Sequence, residues 1–439
     1  MNNTNDARKL ISQQMYSWAV DLFPLCRSLT GKGTMETLMY LKRLVPQLQI
    51  LSATSRAKVY DWEIPDEWNI EEAWIADENG NKLVDFKSNN LHVINYSAPI
   101  DKYVNLAELN KNLHSIPELP DAIPYKTSYY KRDWGFCLTH NQRAKLKPGK
   151  YHVYIKSDFN PNGKMNYGEI KIPGREKTEI FLSTYVCHPS MANNELSGPV
   201  VTLALVKWIL DMENRRYSYR IVFIPETIGA INYIFENYNE LKMNVKAGFN
   251  VTCVGDDRTY SYMPSRMENT LADRVAKHVL FHTFSNFKSY TWFDRGSDER
   301  QYCSPGINLP MVSIMRSKYG EYPEYHTSLD NLNLISPEGL LGGYEIIQSA
   351  ISLFEQNYYP VSTVVGEPMM SKRGLRSTIG GAKSLPVETK LIGDVISLCD
   401  GTFSILDIAE MMNMPFQKIY QICDFLKSIE LINVFYKDE

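Results

Sequence analysis

The chain has 439 residues, of which 44% are hydrophobic and 22% charged, and its net charge is −3. That composition excludes a disordered chain, the length points to two or three domains, and the charge gives no general drive toward nucleic acid or an anionic membrane. The opening MNNTNDARKLISQQMYSWAV lacks an apolar signal core, and no stretch approaches the ~18 apolar residues of a membrane span. Seven scattered cysteines without a CxxC pair fit reduced thiols, so a cytoplasmic protein is expected.

The first ~55 residues read as helical, with Ala19, Val20, Leu22 and Phe23, then Leu38, Met39, Leu41 and Leu44 at helical spacing. The loop LFPLCRSLTGKGT separates the two runs. From Val59 to Gly168, short alternating runs are broken by Asn-Gly, Pro-Asp and Pro-Gly, which predicts a mainly antiparallel β domain. Its place in the chain makes it an insertion into a domain that resumes afterwards. From Glu169, the apolar runs EIFLSTYV, YRIVFIPE, AGFNVTCV and LPMVSIMR alternate with helical patterns. They predict an α/β domain whose mostly parallel sheet carries helices on both faces. After Val365 comes a linker, MMSKRGLRSTIGGAKS, then three short helical patterns and the strand LINVFY, the outline of a winged helix. The expected domains are residues 1–58 with 169–365, the insert 59–168, and the winged helix 372–439. The third winged-helix pattern carries Lys418 and Lys427 beside Asp424 and Glu430. It is not a basic surface, so a protein contact or self-association is expected there and nucleic acid is not.

In an open parallel sheet the ligand crevice lies outside the carboxyl ends of the strands. The polar residues there are Cys187-His188-Pro189-Ser190, Glu226-Thr227, Gly255-Asp256-Asp257-Arg258 and, in a longer loop, Tyr325-His326-Thr327. His188 reads as a loop histidine or a zinc ligand. Glu226 follows an apolar strand, where a carboxylate is costly unless paired, exposed in a cleft or catalytic; its other reading is a cap for the next helix. Asn193, Asn194 and Glu195 precede a helix and either cap it or face the chemistry. Arg27, Ser28, Thr30, Arg295, Asp298 and Glu299 lie in the compact segments RSLTGKG and DRGSDER, where each alone reads as a solvated loop residue.

Taken in order, STYVCHPS…NNELSGPVV, IPETIGA and EYHTSLDN resemble the zinc-dependent aminopeptidase superfamily. The chain is more closely similar to a bacterial branch of aminopeptidase-like proteins associated with polysaccharide biosynthesis. That resemblance spans nearly the whole chain through LFPLCRSLTG, WGFCL, CHPSMANNELSGP, PETIG, TCVGDDR, RGSDERQYCSPGINLP, YHTSLDN and RGLRSTIGG. It implies that His188 and His326 bind metal, that Glu226 is the base, and that the reaction is metal-assisted hydrolysis of a peptide or aminoacyl conjugate. Where the superfamily has three further carboxylates, this chain has Asn194, Thr227 and, at about the third position, Thr252. One zinc ion is therefore expected in place of two. Its carboxylate ligand is expected to be Asp257, then Glu195, Asp256 or Asp298, with Asn194 able to ligate through its side-chain oxygen. Glu299, Arg27, Arg295 and Tyr325 complete the candidate site. A second reading is a catalytically degenerate protein that keeps the crevice for a ligand or protein partner.

Overall fold

Helices α1 (Asn2–Leu22) and α2 (Lys32–Leu44) open the chain and bury Met15, Trp18, Leu22, Leu38 and Leu41. The computed structural model describes residues 2–128, 130–284, 286–375 and 387–437; the linker positions 376–386, with the end of RGLRSTIGG, lie outside the described residues. Helix does not fill the first 55 residues. Pro46 stops it, and Gln49–Thr54 forms an edge strand, β1.

The insert is a four-stranded antiparallel sheet of β2 (Glu67–Ala76), β3 (Lys82–Asp85), β4 (Ile100–Asn105) and β5 (Lys150–Asn160), in the order β3-β2-β5-β4. Alternation places Ala73, Ile75, Val104, Val153 and Ile155 in its core and leaves Trp74, His152 and Tyr154 on the other face.

The central sheet adds β6 (Lys164–Ile172), β7 (Glu179–Tyr185), β8 (Ser218–Ile224), β9 (Val245–Asn250), β10 (Ser261–Met263), β11 (Lys288–Ser289) and β12 (Met311–Met315). Its order is β1-β6-β8-β7-β9-β12-β10-β11. The four middle strands, β8, β7, β9 and β12, are parallel, and β1, β6 and β10 pair antiparallel at the flanks. Every residue of β7 is buried, and apart from Glu179, Ser183 and Thr184 its side chains are apolar or aromatic. The chain goes from β7 to β8 on one side and then to β9 on the other. That reversal opens a crevice at the carboxyl end of β7.

Four long helices follow: α3 (Ser197–Asp211), α4 (Ile228–Asn244), α5 (Leu271–Thr283) and α6 (Pro337–Gln356). A Cβ on Gly198 would stand 2.4 Å from both Thr184 Oγ1 and Val251 O, so only glycine lets the start of α3 approach the sheet this closely.

The chain forms two compact units, Met1–Asp273 with Phe287–Ile347, and Arg274–Asn286 with Gln348–Glu439. The second unit holds β13 (Tyr359–Ser362), α7 (Val387–Ser397), α8 (Ile405–Met411), α9 (Phe416–Ser428) and β14 (Ile432–Phe435). β13 pairs antiparallel with β14, although the sequence pattern assigns residues 359–362 to the α/β domain. Within this unit Arg274 Nη2 donates to Asp407 at 2.6 Å, and His278 Nε2 accepts from Phe416 N at 2.9 Å. Among the described residues, no helix is long and apolar enough to cross a membrane.

Candidate active site

The turns that follow the sheet strands hold backbone that L-residues resist. Ser190 after β7, Thr227 after β8, Cys253 after β9 and His326 in the loop after β12 have φ of 40°, 64°, 53° and 55°. Left-handed backbone is costly for residues other than glycine, most of all for a β-branched threonine. Strain therefore gathers around the crevice.

His188 is buried just beyond β7. Its Nδ1 lies 2.9 Å from Glu195 Oε2 and its Nε2 lies 3.6 Å from Glu226 Oε2. Glu195 sits in a π-helical turn, Ala192–Leu196, that runs into α3. Arg27, fully buried, places Nε 3.3 Å from Glu195 Oε1 and donates from the same nitrogen to His188 O at 3.0 Å. Burial lowers the Arg27 pKa, and the charge of Glu195 opposes that loss. Burial also works against a proton on His188, but Cys187, Tyr125 and Glu195 outweigh it and raise its pKa well above the ordinary value.

Glu226 follows β8. Its backbone N donates to Cys187 Sγ at 3.2 Å, and its Oε1 accepts from Ser297 Oγ at 3.1 Å. Burial pushes its carboxyl above the usual range, against the opposing pull of His188 and Arg300. Asp298 is fully buried; Oδ1 accepts from Thr227 N at 2.7 Å, while Oδ2 has no partner. Burial, then the charge of Glu226, push its pKa well above the usual range.

His326 stacks on Tyr325 with ring centroids 3.9 Å apart, and its centroid is 5.3 Å from that of His188. Its Nε2 is buried without a partner, and burial, then His188, hold its pKa down at about 3. Asn194 Oδ1 accepts from the Tyr185 hydroxyl at 3.1 Å, and its Nδ2 is buried and unpartnered. The same hydroxyl is 2.5 Å from Thr252 Oγ1. Asp330 clamps the turn before α3, accepting from the backbone N of Ala192, Asn193 and Asn194 at 3.1, 2.6 and 2.9 Å.

The structure thus gathers Arg27, His188, Asn194, Glu195, Glu226, Asp298, Tyr325 and His326. Other sequence candidates lie elsewhere or are already occupied. Asp257 is exposed on its loop, outside the buried group, because the loop turns its neighbour inward. That neighbour, Asp256, is saturated by Asn193, Ser317 and the backbone of Arg258. Arg295 is exposed and packs over Trp292. Glu299 is buried but accepts from Gly296 N, Ser297 N, the Tyr319 hydroxyl and Asn250, so it holds the loop that carries Ser297. Sequence pattern alone placed Cys187 at a strand end without a role, and did not single out Ser297, Asp330 or, from the insert, Tyr125.

Among the described residues, the one group of three donors whose ligand atoms all lie within 4.8 Å of one another is Cys187, His188 and Glu195. It is a poor seat for a metal. Burial raises the Cys187 thiol to about 11, and Glu195 already faces Arg27. Two imidazole nitrogens are left for a borderline dication such as zinc, the buried, unpartnered Nε2 of His326 and the Nε2 of His188 that faces Glu226; with Glu226 they do not form a second group within 4.8 Å. A second ion has no seat. The Thr252 hydroxyl is bonded to Tyr185, the Thr227 hydroxyl accepts from Arg300 at 2.7 Å, and neither is a carboxylate.

A family model described as a domain of unknown function, DUF4910, matches residues 16–357, and a winged helix-turn-helix model matches residues 358–434. A Clostridium acetobutylicum protein named for polysaccharide biosynthesis and an aminopeptidase-like domain is 41% identical over 422 residues, 96% of each chain. A crystal structure from Clostridium acetobutylicum, named as a peptidase, is 39% identical, covers 99% of each chain and has a TM-score of 0.92. The Bacillus subtilis zinc aminopeptidase BSAP is 13% identical and shares the fold, with a TM-score of 0.57 over 77% of this chain and 94% of that one.

Proposed function

The chain belongs to the DUF4910 family and carries an aminopeptidase-like α/β fold followed by a winged helix, and from that premise we propose that it is a metal-dependent hydrolase of amide bonds. The observation that carries this reading is the orientation of His188. Glu195 holds Nδ1, and Nε2 faces Glu226 beside the unpartnered Nε2 of His326.

In this reading His188 and His326 hold one zinc ion, which when bound supplies Lewis-acid polarisation of the amide carbonyl and acidifies water. Glu226 takes the proton of the attacking water on Oε2 and hands it to the leaving amine. Its raised pKa suits both steps, and Ser297 fixes the other carboxylate oxygen. Glu195 accepts the proton of His188 Nδ1 and fixes the ring, so binding of the ion would displace only the proton on Nε2, the nitrogen that faces Glu226. Arg27 compensates the buried charge of Glu195. The substrate is a peptide or aminoacyl conjugate, and the relative's name favours an intermediate of polysaccharide biosynthesis. We place the protein in the cytoplasm. The winged helix serves a protein contact or self-association, since α9 exposes Lys418 and Lys427 alongside Asp424.

A second reading, a binding protein that has lost catalysis, is favoured by the hydroxyls of Thr227 and Thr252, which are committed to Arg300 and Tyr185. Elemental analysis of chelator-free protein, with a screen of amide substrates, separates the two. The hydrolase purifies with about one zinc per chain and turns over an amide. Two equivalents would overturn the single ion, and no metal with no turnover would leave the binding protein.

A further inference from the structure

We propose that Tyr125, carried by the inserted β domain, sets the size limit of the site and reserves it for a small amide such as an amino-acid amide, excluding the end of a polypeptide. This rests on the hydrolase reading above and narrows its substrate.

The segment around Tyr125 is tied down on both edges. Tyr125 N donates to His326 O at 2.8 Å, Ser328 N donates to Ile123 O at 2.8 Å, and Pro124 and Thr327 form an antiparallel bridge. On the other edge, Asn95 N donates to Lys126 O at 2.8 Å and Ser128 N donates to Asn95 O at 3.0 Å. Backbone held in this way cannot yield to a ligand as a surface loop can.

The Tyr125 ring then meets both imidazoles edge-on. Its centroid is 5.1 Å from that of His188 at an interplanar angle of 65°, and 5.2 Å from that of His326 at 79°. One side chain therefore walls both histidines at once. Beside it, the His188 side chain is 5% exposed and that of Glu226 is 19% exposed. The base thus meets solvent over a small part of its surface. An extended chain of four residues needs roughly 13 Å of open groove along the bond, at about 3.3 Å per residue. A fixed wall discriminates by steric exclusion, and truncating it relaxes the limit.

The test uses the full-length protein and two probes, alaninamide and tetra-alanine. Turnover and calorimetric binding are measured for wild type, Tyr125→Phe, Tyr125→Leu and Tyr125→Ala, with thermal melts to confirm folding. Tyr125→Leu fills part of the ring's volume and stands in if the alanine variant does not fold. Wild type and Tyr125→Phe should favour alaninamide. In Tyr125→Ala, the kcat/KM ratio of tetra-alanine to alaninamide should rise by at least ~10-fold, with Tyr125→Leu in between. An unchanged ratio in folded leucine and alanine variants would overturn the size limit and leave the hydrolase intact. If no variant turns over either probe, the hydrolase reading is left to the metal analysis and substrate screen above, and binding decides the wall. Tetra-alanine affinity gained in Tyr125→Ala upholds the wall; equal affinities across the series, or no binding at all, overturn it.

Discussion

Glu226 carries a charge that its surroundings resist, and the same burial that raises its proton affinity makes it suited to move a proton near neutral pH. Glu226→Gln keeps the shape and the Ser297 contact, so metal content and melting should hold while turnover falls by at least ~100-fold. Comparable turnover in that variant would remove Glu226 from the reaction. His326 offers a separate test. Its pKa is about 3 in the folded chain against an ordinary 6.5, so the unfolded chain takes up a proton that the folded chain refuses. The stability it contributes is whole above pH 6.5 and is lost as pH falls toward about 3. Metal-free protein should therefore lose melting temperature on acidification across that window, and His326→Gln should flatten the loss; parallel curves would refute this. Asn194→Asp places a carboxylate where a neutral amide now accepts from the Tyr185 hydroxyl and leaves its nitrogen unpartnered. It should tighten zinc by about tenfold or more in a chelator competition, about 1.4 kcal/mol. Unmoved affinity would assign Asn194 to the Tyr185 bond alone. His188 and Glu226 were legible as candidates because polar residues at the ends of apolar strands stand out against their neighbours, whereas His326, in a longer loop, was marked out by the resemblance of EYHTSLDN. Choosing between Asp256 and Asp257 was not legible, because adjacent carboxylates on a turn differ only in which way the turn points them.

The central strands were legible for a physical reason: β7, β8, β9 and β12 are largely covered on both faces and so read as mainly apolar runs without a clean alternation. β10 and β11, with three and two residues, are too short to show a period. The π-helical turn before α3 was not legible either, because the tertiary clamp of Asp330 holds it. Gly198 couples that turn to the sheet. Alanine there would gain up to ~1 kcal/mol of helix propensity, but its Cβ meets Val251 O, a backbone atom that cannot rotate away. The clash should win, and Gly198→Ala should lose roughly 1–3 kcal/mol in urea denaturation. A stabilised variant would show that α3 can shift away from β7 at no cost.

At the scale of the molecule, the sequence predicts that a chain ending near Ser371 keeps a folded core. Contacts within the second unit argue against such a cut. Arg274 and His278 on α5 have partners in Asp407, Glu410 and Phe416, Asn357 Oδ1 accepts from Leu406 N at 3.0 Å, and β13 pairs with β14. All of those partners lie beyond the cut. The truncated chain should aggregate where the full chain is soluble, and a soluble truncation with unchanged melting would contradict this. The reason is not visible in the sequence, because α5 reads as one more helix of the α/β domain. The buried guanidinium of Arg27 extends the same lesson to how the chain is made. His188, whose carbonyl it holds, comes 161 residues later. At a synthesis rate of about 5–20 residues per second, Arg27 is made roughly 8–32 s before that partner. Through that interval the charge stays in water and α1, which packs on α3, has nothing to cover Trp18 and Leu22. The nascent chain should then be held by chaperones that bind exposed apolar surface, and slowing translation before codon 188 should lengthen its stay on them.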